Sequence, residues 1–379
     1  MKAGRIIFTG AVFVSIVSFS VFIPGAMLAA SEKTGRFGVH IGGQGKTLNL
    51  RPILNDLGVS WVRINNNLDG TGTAISPFLD AGFNVVITIA NRDPANIDTT
   101  YGTLVNAGYP FKSKEVYQHR IREILTPLLP YLKQGRQIWV QCENEVGDAS
   151  KNPKARFWRG TMEQYARQLE ALYEAVKALD PSIPVVLSSF TSEQLSWVIR
   201  PDDPHSEGAS RLFTAMLTKG RYDAVDLHFY GCVEDIPAEV QWVKAHMPSE
   251  KRWISTENGG PDARCPSTPI SWEHNPAEYE RIEAQQVSQR LSACADNGGS
   301  VCLWFSFLDM TDETRVFTHM GLIDGRPLKE EAKRLKGMKK GQGRNPHGAL
   351  SEEQMEQIDK FLRRKPAYEA FKAFVATHR

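Results

Sequence analysis

The chain has 379 residues, of which 41% are hydrophobic and 23% are charged. This composition is typical of a globular protein with a sizeable core, and the length leaves two ordinary domains or one large α/β barrel open. The formal net charge is +2, and Lys2 and Arg5 account for it, so the rest of the chain is neutral. A neutral body argues against general nucleic-acid binding, which depends on phosphate neutralisation.

Residues 1–30 have the layout of a targeting segment. Lys2 and Arg5 precede the uncharged run 6–23, and small residues lead up to Ala30. This pattern predicts a secretory signal that is cleaved after Ala30, and the alternative is an uncleaved membrane anchor. In both cases we expect an exported protein, periplasmic or secreted. It would contact a membrane only if this segment is retained.

From residue 31 onward, strand-like runs alternate with helical patterns. The predicted strands are residues 37–41, 61–64, 84–90, 137–146, 184–189, 224–230, 252–260 and 301–307. The predicted helices are residues 48–57, 76–81, 115–132, 161–179, 210–217, 237–246, 276–296 and 352–377. Eight such alternations predict one (β/α)8 TIM barrel over residues 31–379. A doubly wound sheet is disfavoured because the glycines of residues 40–45 lack dinucleotide-binding spacing.

The five cysteines cannot all pair with one another. Cys142 and Cys302 fall inside predicted core strands, where a free thiol behaves as a small hydrophobic group. Cys232 and Cys265 follow two sequential strands and could form a disulfide in an oxidising compartment, with free thiols as the alternative. No cysteine pair or histidine cluster has zinc-binding spacing, so we expect no metal and no cofactor.

A basic stretch separates the last predicted strand from the last helix. Residues 326–344 contain eight basic side chains against Glu330 and Glu331. We expect a basic insertion near residues 326–350. It can be a solvated surface loop, or it can contact an acidic polysaccharide or a membrane surface.

Polar side chains stand at the carboxyl ends of several predicted strands, where barrel enzymes hold their catalytic groups. Glu145 ends the fourth strand and Glu257 ends the seventh. A core strand has no packing reason to end on glutamate, because burying an unpaired carboxylate is costly. The ends of other strands add Arg63, Asn144, His228, Tyr230 and Trp304. The sequence has no nucleotide-binding loop and no set of metal ligands. Two carboxylates together with aromatic rings therefore favour cleavage of a glycosidic bond, with one carboxylate as the acid and the other as the nucleophile.

The order of these residues resembles the clan A glycoside hydrolases. Asn144 directly precedes Glu145 on strand four, and Glu257 follows on strand seven after 257 − 145 = 112 residues. The supporting positions of that family are matched by Arg63, His228, Tyr230, Trp304 and the segments 317–324 and 365–368. The resemblance covers all eight predicted strands, from about residue 36 to the C-terminus.

The resemblance implies a retaining hydrolase of β-glycosidic bonds in a polysaccharide or oligosaccharide, which we expect to be a monomer. Glu145 would be the acid and base, and Glu257 would be the nucleophile. The family assigns a substrate-binding or supporting role to each remaining position. Asn144 would bind the 2-hydroxyl, Arg63 and Tyr230 would orient Glu257, Trp304 would floor the sugar subsite, and His228 would complete the set.

Other interpretations stay open. Glu143 shares strand parity with Glu145 and is the alternative acid, and His228 and Trp304 can also be core side chains. Trp158 and Trp272 lie in predicted top loops, where they could be distal sugar platforms. A transglycosylase would use the same site, and a noncatalytic carbohydrate-binding barrel would normally lack one carboxylate.

Overall fold

The structure is a computed structural model that describes residues 35–41, 50–309, 316–325 and 362–378. The predicted targeting segment 1–30 and the predicted basic insertion 326–350 lie outside these residues, so both stay predictions. Among the described helices, none has the length and apolar character needed to cross a membrane.

Eight parallel strands close into one barrel in chain order, β1 to β8, with β8 pairing back to β1. They are β1 Phe37–His40, β2 Trp61–Asn67, β3 Asn84–Ala90, β4 Ile138–Cys142, β5 Val185–Phe190, β6 Ala224–Phe229, β7 Arg252–Asn258 and β8 Cys302–Trp304. Helices alternate with the strands, because parallel neighbours need a crossover connection. The predicted (β/α)8 fold class is confirmed.

The helices also follow the predicted order. They are α1 Arg51–Asp56, α2 Ser76–Asp80, α3 Lys114–Leu125, α4 Leu129–Leu132, α5 Met162–Leu179, α6 Ser192–Val198, α7 Ser206–Lys219, α8 Ile236–His246, α9 Pro276–Asp296 and α10 Pro366–Thr377. Short 3-10 turns cover Thr126–Leu128, Val233–Asp235 and Val316–His319. The prediction missed α6, and it joined α3 and α4, which the 3-10 turn that contains Pro127 separates; Pro130 lies in the first turn of α4. A two-stranded pair, β9 Ile323–Asp324 with β10 Arg363–Arg364, was also not predicted.

Two helix starts follow directly from local sequence. The Thr161 hydroxyl accepts a hydrogen bond from the Gln164 backbone N–H, and the Gln164 side chain accepts one from Thr161, which is a capping box. Asn275 caps α9 by accepting from the Glu278 N–H, with Pro276 at the first helical position. Both N-terminal boundaries were therefore predictable to within one residue.

An apolar layer fills the lower part of the barrel interior. It consists of Trp61, Val86, Trp139, Val186, Ala224, Ile254, Val301 and Leu303, and none of these side chains is more than 3% exposed. Neighbouring side chains on a strand alternate between the two faces, so residues two further along also point inward. Those residues determine what lies above the apolar layer.

The next inward layer is polar and equally buried. Two residues after the apolar members stand Arg63, Thr88, Gln141, Asp226 and Thr256, each 4% exposed or less. Buried polar groups are stable only when they bind one another, and these side chains do so across the barrel. This polar layer supports the side chains at the mouth of the barrel.

A disulfide joins Cys232 to Cys265, across a sequence separation of 33 residues. The two cysteines follow β6 and β7, so the bond connects the carboxyl ends of neighbouring strands. The structure thus forms the disulfide, which is one of the two alternatives that the sequence left open. Cys142 and Cys302 are buried free thiols, as predicted, and Cys294 is a third.

We expect the Cys232→Ser/Cys265→Ser variant to lose stability, because the unfolded chain gains the freedom of the opened loop. For a loop of this length the loss in unfolding free energy should be about 3–4 kcal/mol. Urea unfolding of the variant against the oxidised wild type measures it, with Cys142→Ser as a control that leaves the disulfide intact. Equal stability of the double variant and the wild type would contradict the prediction.

Candidate active site

Glu145 lies in a sharp turn that follows β4. Glu143 has φ 61° and Glu145 has φ 43°, so two non-glycine residues occupy the left-handed region. Such conformations cost about 1–3 kcal/mol each and persist only where neighbours fix them. Ser189 at the end of β5 fixes this one, since its Oγ accepts from the Glu145 N–H at 3.2 Å and donates to Asn144 Oδ1 at 3.1 Å.

Glu257 reaches the mouth of the barrel through a register shift in β7. Asp226 of β6 pairs with Ile254 of β7, and His228 of β6 pairs with Glu257 of β7. Between these two pairs β6 advances by two residues and β7 by three. The extra residue in β7 reverses the alternation of its side chains, as a β-bulge does. Thr256 therefore points into the polar layer and Glu257 also points inward, directly above it.

The Glu257 carboxylate is held by donors on both oxygens. An Arg63 Nη1–H donates to Oε1 and the Tyr230 hydroxyl donates to Oε2. His40 Nδ1 lies 3.6 Å from Oε1. Burial raises the pKa of Tyr230, and the charge of Glu257 raises it further, so the phenol keeps its proton and remains a donor. These contacts fix the orientation of the Glu257 carboxylate.

Arg63 also fixes Asn144. Its Nη2 donates to Asn144 Oδ1 at 2.5 Å and to Gln141 Oε1 at 3.1 Å, and its Nε donates to Thr88 Oγ1 at 2.8 Å. The Asn144 carbonyl is thus occupied, while its amide N–H groups have no partner among the described residues. They remain available to a ligand oxygen.

His228 lies below both glutamates and has no exposed surface. Its Nδ1 is 2.7 Å from Glu145 Oε1 and 3.4 Å from Glu257 Oε2, and its Nε2 is 3.1 Å from Asp226 Oδ2. Burial alone would lower the pKa of His228, but Glu257 and then Asp226 raise it to about 10. His228 therefore contacts carboxylates, and the expectation that it binds substrate directly needs correction.

A side-chain oxygen of Glu145, one of Glu257 and a ring nitrogen of His228 all lie within 4.8 Å of one another. This spacing would suit a metal ion, but the raised pKa of His228 favours the imidazolium, which has no lone pair to offer. Cys232, Glu234 and Cys265 form a second such group. The Sγ atoms of Cys232 and Cys265 form the disulfide, so neither sulfur is available as a metal ligand. Within the described ranges, neither group fits a metal.

The alternative acid, Glu143, is not in the cleft. It is fully buried, its Oε1 accepts from the Asn91 N–H at 2.8 Å and from Gln168 Nε2 at 2.6 Å, and it packs against Gly108. A Cβ at Gly108 would stand 1.8 Å from Glu143 Oε2, so only glycine fits there. Burial raises the pKa of Glu143 to about 8.

The structure contradicts the prediction that Trp304 floors the sugar subsite. Trp304 has no exposed surface, packs in the core outside the barrel interior and donates from Nε1 to the Met320 carbonyl at 2.9 Å. Leu303 points inward, so alternation turns Trp304 outward and the next residue, Phe305, inward. The ring of Phe305 lies 5.1 Å from that of His40 and 5.6 Å from that of Tyr230.

The two loop tryptophans have different environments. Trp158 is fully buried, with its ring 5.8 Å from that of Tyr165, so it is not a sugar platform. Trp272 is half-buried and stacks on His319 at 3.9 Å. A platform role for Trp272 stays a prediction.

Several site residues were missed by sequence reasoning. Asp226, Phe305 and Phe317 were not assigned, and His40 was not given a role. Asp226 had a usable signal, because it is a charged residue two positions before His228 in an otherwise apolar strand. Phe317 begins the segment 317–324 that the resemblance singled out, but only the fold shows that its ring reaches Tyr230, at 4.5 Å.

Comparisons with known proteins give structural matches alone. No protein-family model matches the chain, and no curated protein does. An exo-β-1,4-mannosidase from Opitutaceae bacterium strain TAV5 aligns with TM-score 0.52 and 16% identity, over 90% of this chain and 59% of that one. This chain thus spans less than two thirds of that enzyme.

Two further solved structures are similar. A glucosidase from Croceicoccus marinus has TM-score 0.52 and 14% identity, over 92% of this chain and 69% of that one. A GH5_18 variant from Streptomyces cattleya in complex with Manβ1-4GlcNAc has TM-score 0.51 and 16% identity, over 91% and 81%. The chain therefore shares the barrel fold of these three solved structures.

We expect Glu143→Gln to change how stability depends on pH. In the folded wild type, Glu143 keeps its proton up to about pH 8, whereas in the unfolded chain it loses the proton near the ordinary pKa of a glutamate. Wild-type stability should therefore fall between those values as pH rises, by roughly 1.4 kcal/mol per pH unit. Urea unfolding from pH 5 to pH 8 should give a flatter profile for the variant, and parallel profiles would contradict the assignment.

Trp304→Ala and Phe305→Ala test where the two neighbouring rings lie. We expect Trp304→Ala to lower the unfolding free energy by about 3–5 kcal/mol, because it opens a cavity in the core. Phe305→Ala should cost less, since its ring is half-buried. Urea denaturation of both variants measures the difference, and the reverse order would contradict the placement.

Proposed function

We propose that this protein is a retaining glycoside hydrolase that cleaves β-glycosidic bonds of a polysaccharide or oligosaccharide. Glu257 is the nucleophile and Glu145 is the acid and base. The fold likeness to glycosidases supports the reaction class, and the site residues support the mechanism. Export of the protein remains a prediction from the N-terminal sequence.

The observation that carries the proposal is the spacing of Glu145 and Glu257. One oxygen of each side chain lies within 4.8 Å of the other, and both side chains keep some exposure, 16% for Glu145 and 10% for Glu257. Retaining enzymes hold the two carboxyl groups about 5–5.5 Å apart, and inverting ones about 6.5–9.5 Å. The shorter spacing leaves no room for a water molecule behind the sugar.

In the first step, a Glu257 oxygen attacks the anomeric carbon and the bond to the leaving oxygen breaks. Glu145 gives that oxygen its proton, so the aglycone leaves as a neutral alcohol. The hydrogen bonds from Arg63 and Tyr230 orient the Glu257 carboxylate before attack. The free amide N–H groups of Asn144 are donors for the 2-hydroxyl oxygen.

In the second step, Glu145 removes a proton from water as the water oxygen attacks the anomeric carbon. The ester bond to Glu257 breaks, and the carboxylate returns to Arg63 and Tyr230. Two inversions give net retention. His40, Phe305 and Phe317 surround this position, and we assign to Phe305 the aromatic contact first expected of Trp304.

We expect Glu257→Ala to lower kcat on aryl β-glycosides by roughly 10⁴-fold or more, because no group replaces the nucleophile. Azide should restore turnover and give an α-glycosyl azide, since it attacks from the side that Glu257 leaves open. In Glu145→Ala, azide should instead attack the glycosyl-enzyme and give a β-glycosyl azide. A panel of aryl glycosides with product analysis by NMR measures both.

Glu143→Gln is the matched control, since it changes the neighbouring carboxyl without touching the cleft, and it should keep most of the activity. Full activity of Glu257→Ala would contradict the assignment of the nucleophile. An α-glycosyl azide from Glu145→Ala would mean that the two roles are exchanged.

A further inference from the structure

A third carboxylate, Asp226, lies below the two glutamates, and no step of the proposed reaction uses it. It has no exposed surface. Its Oδ1 accepts from the Thr256 N–H at 2.8 Å, and its Oδ2 accepts from the Thr256 hydroxyl at 2.6 Å and from Gln141 Nε2 at 2.7 Å. Donors on both oxygens are the environment of an ionised carboxylate. Burial opposes this state, but His228 and then Arg63 hold the pKa of Asp226 below its ordinary value.

Both ring nitrogens of His228 face carboxylate oxygens. Nε2 lies 3.1 Å from Asp226 and Nδ1 lies 2.7 Å from Glu145. A neutral imidazole carries a single N–H, so one nitrogen would turn its lone pair toward an oxygen. The imidazolium alone donates on both sides. This argument is independent of the raised pKa of His228 and agrees with it.

We propose that Asp226 is a positioning residue: it keeps His228 as an imidazolium and thereby directs an N–H at the acid/base carboxylate of Glu145. The inference rests on the proposed function and deepens it. Asp226 itself touches no reacting atom, and it acts through His228.

The chemical consequence follows from the change of charge on Glu145. When Glu145 gives its proton to the leaving oxygen, it becomes a carboxylate, and the bond from His228 Nδ1–H becomes a charge-assisted one. Asp226 takes up no proton in this step, because its role is to balance the imidazolium and to fix the ring. Without that balance, burial would favour neutral His228.

The sign of the pH effect depends on every charge around His228. The acidic groups near the His228 ring are Asp226 on the same strand, Glu145 after β4 and Glu257 after the bulge in β7. The other titratable or charged groups near the ring are Tyr230 after β6, Arg63 on β2 and His40 on β1. Removing one negative charge lowers the pKa of each group it faces. Neutralising Asp226 therefore makes His228 lose its proton at lower pH, and activity that needs the imidazolium is then lost at lower pH.

The first experiment compares the pH dependence of kcat/KM for the wild type and Asp226→Asn on a cleaved aryl β-glycoside. We expect the basic limb to move to lower pH by about one unit or more, and kcat to fall roughly 10-fold to 100-fold. Thr256→Val is the matched control, because it removes a hydroxyl donor to Asp226 without changing a charge, so its basic limb should not move. Lower activity of Asp226→Asn with an unmoved limb would give Asp226 a merely structural role and overturn the inference.

The second experiment needs no substrate. The chain has nine histidines, and in ¹⁵N-histidine-labelled protein the His228→Asn variant identifies the His228 signals. We expect both ring nitrogens of wild-type His228 to be protonated from pH 7 to pH 9, and the Asp226→Asn signals to titrate at lower pH. A neutral His228 at pH 7 in the wild type would overturn the inference even if Asp226→Asn does not fold.

The two failures can be told apart. If no glycoside is cleaved, or azide does not rescue Glu257→Ala, the proposed function fails, while the charge of His228 is still decided by NMR. If the enzyme is active and rescued but His228 is neutral, the positioning role of Asp226 fails alone.

Discussion

Ionised side chains inside the barrel must be neutralised by one another, because water does not reach them. Arg63, Asp226 and His228 are 1% exposed or less, and they lie above an apolar layer that excludes solvent from below. An isolated charge in such a place would be strongly unfavourable. Each of the three contacts a partner of opposite sign, and Glu257 completes the set. The positions of the side chains at the mouth follow from this requirement.

The same requirement explains why the two cleft glutamates have different surroundings. Glu257 stands directly above the buried charges and receives donors from two of the strands. Glu145 projects from a turn with a left-handed backbone and receives an imidazole N–H from below. One carboxylate is therefore held as an ion on both oxygens, while the other keeps a free oxygen toward the cleft. That asymmetry is what separate roles as nucleophile and acid require.

A second buried cluster supports the aromatic side of the cleft from the C-terminal segment. Lys365 Nζ lies 2.7 Å from Glu283 Oε2 and 3.3 Å from Asp309 Oδ1, and donates to the His319 carbonyl at 2.6 Å. The contact with His319 anchors the 3-10 turn that carries Phe317 to Tyr230. Segments 317–324 and 365–368, which the family resemblance named separately, thus meet in space.

The sequence by itself determined the order of eight strands, two helix caps and the two strand ends that carry Glu145 and Glu257. These follow from local periodicity, from capping side chains and from polar groups where an apolar run stops. The tertiary structure decided which of two neighbours faces inward. Trp304 lies outside the barrel interior and Phe305 inside it, because Leu303 faces inward and side chains alternate along the strand. The bulge in β7 turns Glu257 inward beside Thr256. The tertiary structure also decided the role of Asp226: His228 stands two residues along the same strand, but Gln141 and Thr256 reach Asp226 from β4 and β7, and that meeting leaves no local pattern in the chain.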